Sequence, residues 1–178
     1  IPFPFKRYQI QPVWRADRPQ KGRYQEFYQC DVDVVGSESL MFEAELAQIY
    51  DEVFQKLGLK VVIKLNNRKI LAGMAEAAGL SEDRFMDMTI AIDKLDKIGM
   101  DGLKQELSKR DISDDAIAKI EAMLGTTELE ALKATFAASE TGLKGIEELE
   151  MVFNYLNLGD THNTIQFDIT LARGLNYY

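Results

Sequence analysis

An α+β fold is predicted: strands of a sheet with a flanking helix, interrupted by an all-helical insertion. Three observations predict it. Residues 24–35 alternate apolar and polar side chains as a strand does, residues 67–150 carry helical spacing with helix starts and stops, and residues 164–172 return to strict alternation.

Each element follows from local chemistry. Pro2 and Pro4 mark an extended lead-in, because the residue before a proline is pushed out of the helical region. Residues 6–17 read as a strand with Tyr8, Ile10 and Trp14 on one face, and residues 18–23, Arg-Pro-Gln-Lys-Gly-Arg, read as a loop. In the strand at 24–35, Tyr28, Cys30, Val32 and Val34 point one way and suit a core. Phe27, Gln29, Asp31, Asp33 and Val35 point the other way, so the two strands and their loop form a long hairpin. Residues 38–57 space Leu40, Ala44, Ala47, Tyr50, Val53 and Leu57 as an amphipathic helix, which Gly58 ends as a left-handed cap. Leu59–Leu65 reads as a strand, after which Asn66 or Asn67 can cap the next helix. Within the helical stretch Ser81, Ser113 and Thr127 are expected N-caps, Thr127 heading a capping box, and Gly79, Gly99 and Gly125 are expected stops. A helix at 143–157 closes the stretch, with Gly159 as terminator. The expected organisation is therefore 1–66, hairpin, helix and strand; 67–158, helical insertion; and 159–178, the last strand and the residues after it.

Composition narrows the function. The net charge of -8 argues against a generally basic nucleic-acid binder, yet residues 1–36 hold six basic and four acidic side chains. That local +2 leaves -10 on the remaining 142 residues, and suggests one phosphate-facing surface. Cys30 is the only cysteine and His162 the only histidine, so an internal disulfide is impossible and a Cys/His zinc site is short of ligands; no resident metal is expected. Cys30, beside Val32, reads as a small core residue rather than a nucleophile. No apolar run approaches the ~20 residues that span a bilayer, and no signal-peptide pattern is present, so no membrane contact and a cytoplasmic location are expected. The chain begins at Ile1 without an initiator Met and stops at Tyr177-Tyr178 straight after a strand-like run, which reads as a fragment. Phosphate-loop, dinucleotide-fingerprint, zincin and nucleophile-elbow motifs are absent.

What remains is a polar sheet face with arginines at its ends. Arg15 lies near the end of the first strand, Arg23 at the loop exit and Arg173 just after the last strand. A guanidinium is a fixed planar fork that pairs with phosphate or carboxylate at any working pH. Phe27 offers a ring to stack on a base, and Gln29 and Asp33 offer an amide and a carboxylate for an amine. ATP together with an amino acid would satisfy this set. Spacing alone equally admits solvated charges on an exposed hairpin.

Two segments carry a family resemblance. Phe5-Lys6-Arg7-Tyr8-Gln9-Ile10, followed by Trp14-Arg15-Ala16-Asp17-Arg18-Pro19-Gln20-Lys21-Gly22-Arg23-Tyr24-Gln25-Glu26-Phe27-Tyr28-Gln29-Cys30-Asp31, resembles motif 2 of histidyl-tRNA synthetases. Leu171-Ala172-Arg173-Gly174-Leu175-Asn176-Tyr177-Tyr178 resembles the histidine-specific motif of the same family. The resemblance spans the chain and is specific at its two ends. It implies part of a class II synthetase antiparallel sheet with a helical insertion domain, and an enzyme, a histidine–tRNA ligase, with ATP as substrate and Mg2+ accompanying it. Histidine and tRNA(His) are the implied partners, and a homodimer is the implied assembly of the full-length enzyme. Motif 1, motif 3 and the anticodon-binding domain would lie outside these residues.

By the same resemblance, Arg15 matches the motif 2 arginine on the ATP α-phosphate and the amino-acid carboxylate, and Arg173 the arginine opposite it; these two are the implied catalytic residues. Asp17 stands where the family commonly has Glu near the adenine amino group, Phe27 matches the aromatic that stacks on adenine, and Arg23 a loop arginine near the phosphates. Gln29 and Asp33 match histidine-binding positions, Asp33 replacing a frequent Glu. Tyr177 and Tyr178 match the tyrosine pair of the histidine pocket, and Asn176 stands where many members have Asp. A second class stays open: a synthetase-like regulatory paralogue that binds histidine or tRNA without ligating them.

Overall fold

The hairpin forms as its alternation dictates. In the computed structural model, which describes residues 1–173, β1 (Phe5–Trp14) pairs antiparallel with β2 (Glu26–Val35), in a register running from Phe5 opposite Val35 to Trp14 opposite Glu26. Odd-numbered residues of both strands therefore share one face and even-numbered residues the other. The Arg15 N–H donates to the Gln25 carbonyl at 2.9 Å and extends the ladder. Beyond it, Gln20 and Arg23 exchange backbone hydrogen bonds around Gly22, whose φ of +80° suits a residue without Cβ.

The helical body is built on caps and one close crossing. α1 (Met41–Lys56) is followed by Gly58 at φ +68°, as expected. β3 (Val62–Leu65) leads through Asn67, whose side chain accepts the Lys69 N–H, into α2 (Arg68–Ala77). A 3-10 turn at Glu82–Arg84 precedes α3 (Phe85–Ile92), α4 (Leu95–Ser108), α5 (Asp114–Leu124), α6 (Leu129–Thr135) and α7 (Glu140–Leu156). Helices α2 and α7 approach at backbone distance: a Cβ on Gly142 would stand 2.9 Å from the Gly73 Cα, and one on Gly145 would stand 2.8 Å from the Ile70 nitrogen. Ile70, Met74, Met88, Ile92, Ile120, Phe136 and Ile146 are fully buried. Their core is continuous with Ala44 and Ala47 of α1 and with Ile169 and Ala172 near the last strand, β4 (Thr164–Phe167).

Several expectations need correction. Tyr28, Cys30, Val32 and Val34 do not face a core. Tyr28 is 73% exposed, Cys30 is exposed, and Tyr8, Ile10 and Trp14 on the same face are exposed as well. The polar line Phe27, Gln29, Asp31, Asp33 is the more covered one. Alternation fixes which side chains share a face; the neighbours decide which face is covered, and the hairpin stands out from the body. Lys6 ties it to α1, bridging Glu45 at 2.6 Å and lying 5.2 Å over the Phe42 ring.

Thr127 heads no capping box, because the N-cap of α6 is the next residue, Glu128, which makes no side-chain cap bond; Ser81 likewise makes none. Ser113 does cap, accepting the Ala116 N–H, and Ser139 caps α7 by accepting the Gly142 N–H at 2.9 Å. Gly99 leaves helical geometry at φ +68° and divides α4 into two helical segments, the stop its position predicts.

The last strand ends at Phe167, not at residue 172. The Asp168 carboxylate takes the Thr170 N–H at 2.9 Å and its hydroxyl at 2.6 Å, and so bends the chain out of the ladder. Among the described residues β4 pairs with β3, in parallel, and the hairpin forms a separate two-stranded sheet.

Candidate functional site

The candidate residues fall into three groups that the fold holds separately. At the mouth of the hairpin, Arg15 follows β1 and Phe27 opens β2, and the guanidinium carbon lies 5.1 Å from the centre of the Phe27 ring. A flat cation rests where the ring presents its negative face. Asp17 sits in the exposed loop, its carbonyl accepting from the Gln25 side chain at 3.1 Å. Arg23 is exposed, held by its backbone in the tight turn with Gln20.

The second group runs along the odd-numbered face of the hairpin. Gln29 donates its side-chain N–H to an Asp31 oxygen at 2.6 Å. Asp33 accepts two bonds from Arg7, which stands directly opposite on β1. Arg7 and Asp31 therefore join this candidate group through their contacts, although the sequence does not single them out as site residues. Asp31 could have been found from its two-residue spacing with Gln29 and Asp33; Arg7 needed the strand register.

The third group is the exit from β4. Lys64 of β3 bridges Asp168 at 2.6 Å, and the Arg173 Nε lies 3.5 Å from an Asp93 oxygen at the end of α3. Burial would raise the Asp168 carboxyl, but the Lys64 ammonium and the Thr170 hydroxyl and N–H overcome it and hold the group below the usual carboxylate range. These residues line a cleft of about 310 Å³ with Asp96, Thr170 and Ala172. A larger open groove of about 570 Å³ between α4 and α5, lined by Lys104, Lys109, Asp114 and Glu121, contains none of the candidate residues.

Arg15, just after β1, and Arg173, beyond the end of β4, thus follow strands of separate sheets and take separate partners. Tyr177 and Tyr178, like Asn176, lie outside the described residues.

A hairpin with an arginine–aromatic mouth, a flanking helix and an all-helical insertion returning to a strand is the mixed architecture of a class II synthetase domain, and solved structures share it. Histidyl-tRNA synthetase from Nostoc sp. PCC 7120 superposes with a TM-score of 0.88 at 35% identity, over all of this chain and 43% of that one. A protein described as an ATP phosphoribosyltransferase regulatory subunit/histidyl-tRNA synthetase from Bacillus halodurans C shares the fold, with a TM-score of 0.77 at 19% identity over 99% of this chain and 46% of that one.

The histidyl-tRNA synthetase family model matches residues 3–178, and the chain belongs to that family. Histidine–tRNA ligases of Bacteroides fragilis (strain YCH46) and Porphyromonas gingivalis are 58% and 55% identical over the whole of this chain. The chain spans about 40% of the length of these curated relatives. None of the described helices is long and apolar enough to cross a membrane.

Proposed function

We propose that the protein to which this chain contributes ligates histidine to tRNA(His), using ATP, through a histidyl-adenylate. The observation that carries the reading is the hairpin's odd-numbered face: Phe27, Gln29 and Asp33 in line, with the Arg15 guanidinium against the Phe27 ring. Cation, ring, amide and carboxylate are the groups that ATP and an amino acid together require, and the sequence likeness to named histidine–tRNA ligases supports the same substrates.

In this reading the Phe27 ring receives adenine as it now receives a flat cation, with Asp17 near the exocyclic amine. Arg15 and Arg23 hold phosphate oxygens. Gln29 and Asp33, with Tyr177 and Tyr178, hold the histidine. The histidine carboxylate attacks the α-phosphate in line, a bond to pyrophosphate breaks, and negative charge gathers on the phosphate oxygens. Arg15, and Arg173 released from Asp93 to meet the nucleotide, are the groups that stabilise that charge; loss of one such donor typically costs about 3 kcal/mol. The rest is proximity of two anions that repel in water. Mg2+ is implied by the family, but no group of three or more His, Cys, Asp or Glu side chains among the described residues could hold it, and it enters no step of this reaction.

Residues 1–66 and 159–178 are proposed as catalytic-domain segments and 67–158 as the insertion, in a cytoplasmic homodimer. Histidine-dependent ATP–pyrophosphate exchange tests the function. The complete polypeptide is expected to catalyse it and the 178-residue chain alone is not. Histidine binding by the complete polypeptide without exchange would overturn the ligase reading, and exchange by the isolated chain would overturn its dependence on the remaining length.

A further inference from the structure

Beyond β4 the backbone leaves strand pairing just before Arg173, and one side chain takes up the carbonyls this strands. The β3–β4 ladder ends with the Asp168 N–H donating to the Leu65 carbonyl at 3.0 Å. After that the Asn66 amide nitrogen donates to both the Leu171 carbonyl, at 3.0 Å, and the Ile169 carbonyl, at 3.3 Å. Its oxygen accepts the Asn67 N–H at 2.8 Å, and Asn67 in turn caps α2 and donates to Glu148 of α7 at 2.9 Å. Asn66 thus spends both of its amide hydrogens and its oxygen at the junction of β3, the start of α2 and the segment carrying Arg173. No other residue type of this size offers two donors and an acceptor in that plane: Asp lacks the donors and Leu lacks both.

From this geometry we infer that Asn66 is a positioning residue for Arg173, which follows Leu171 by two residues. The inference rests on the reading of Arg173 as a phosphate-binding group. Other contacts hold the segment down: Ile169 and Ala172 are buried in the core, and Lys64 bridges Asp168. Loss of the Asn66 donors therefore leaves the segment attached but lets it shift, and the guanidinium shifts with it. A displacement of about 1 Å in a positioned group can cost up to about 100-fold in rate.

The experiment is a double-mutant cycle on the complete polypeptide, read by histidine-dependent ATP–pyrophosphate exchange with turnover and KM measured separately. Asn66→Asp keeps size and the acceptor and removes the two donors; Asn66→Ala is the second variant. Either is expected to lower turnover about tenfold, with the KM of histidine and ATP changed less than about twofold. In an Arg173→Ala background the same substitutions are expected to change turnover less than about twofold, because the group they position is gone. Equal factors in both backgrounds would show that Asn66 acts independently and would overturn the inference. So would failure of both variants to fold, since Asn66 would then be structural. Full exchange by Arg173→Ala alone would instead sink the reading of Arg173 on which the inference stands.

Discussion

Arg7 donates from both Nε and Nη2, at 2.9 and 2.7 Å, to the same Asp33 oxygen, Oδ2. The two residues face each other across the hairpin, and the bridge uses Oδ2 of Asp33, not Oδ1. Asp33 is therefore a carboxylate aimed by a cation. An exposed pair of this kind contributes little stability, about 0–1 kcal/mol, so its consequence is orientation.

Asp33→Ala in the complete polypeptide is expected to raise the KM for histidine about tenfold or more, by removing the acceptor for its ammonium or ring N–H. Arg7→Ala should raise it by only about two- to fivefold, within what an exposed ion pair is worth. The KM for ATP should stay unchanged in both. Steady-state exchange kinetics check this, and equal effects of the two variants would make Arg7 more than an orienting group.

Arg15 and Phe27 share one contact, and in the proposed function they serve different ends of the nucleotide. Phe27→Leu is expected to raise the KM for ATP about tenfold, the scale of one lost base–aromatic stack. Arg15→Ala is expected to lower turnover by about 100-fold or more, as for one preorganised donor to a developing charge. Separate measurement of turnover and KM distinguishes the two. An Arg15→Ala enzyme with normal turnover would return that arginine to the surface.

Asp51, only 3% exposed, welds α1 to the loop before β4 by accepting the His162 N–H at 2.8 Å, the Asn163 N–H at 2.7 Å and the Asn163 side-chain N–H at 2.8 Å. Burial pushes its carboxyl up, but these donors outweigh burial and hold it below its ordinary value. A depressed folded-state pKa gives stability that is fully present above the unfolded pKa, about 3.9, and lost as pH falls through the folded value. The melting temperature should therefore be insensitive to Asp51 between about pH 5 and 7 and decline below about pH 4. Asp51→Asn, which turns an amide nitrogen toward N–H donors, should cost about 2 kcal/mol at pH 7 and melt about 5 °C lower. Its decline in acid should also be shallower, the remaining slope coming from Asp168 and Glu148, whose carboxyls are likewise held low. Thermal melts from about pH 3 to 7 check this; an unaltered acid slope would show that Asp51 does not set the acid sensitivity.

Gly145→Ala should destabilise the chain by about 1–3 kcal/mol, because the new Cβ would stand 2.8 Å from both the Ile70 nitrogen and the Lys69 Cβ where α7 crosses α2. Gly125→Ala, whose Cβ would meet only the Ala122 carbonyl at 3.7 Å, should be close to neutral. Denaturant midpoints of the two variants provide the comparison.

Much of the fold is legible in the sequence because its signals are local. Gly58 and Gly79 take the left-handed conformation their positions require, and Ser113 and Asn67 cap the helices they precede, since each acts on a backbone group within three residues. The mixed architecture follows from the same periodicities. Local reasoning errs at Asp168, where an alternating strand is broken by a carboxylate that prefers its own turn, and at Thr127, where the helix begins one residue later.

By itself the sequence determined which residues share each face of the hairpin, which segments are helical, and which arginines and aromatics are the candidates for chemistry, because these follow from period and side-chain type. Only the tertiary structure decided that the apolar face of the hairpin is the exposed one, that Arg7 bridges Asp33, and that Asn66 and Asp93 reach the segment carrying Arg173. Those relations join positions from 26 to more than 100 residues apart, as the separations of Arg7 from Asp33 and of Asn66 from Leu171 show. Side-chain type fixes what a group can bind, but which group it meets at such distances is set by how helices and strands pack together, and no local pattern encodes that.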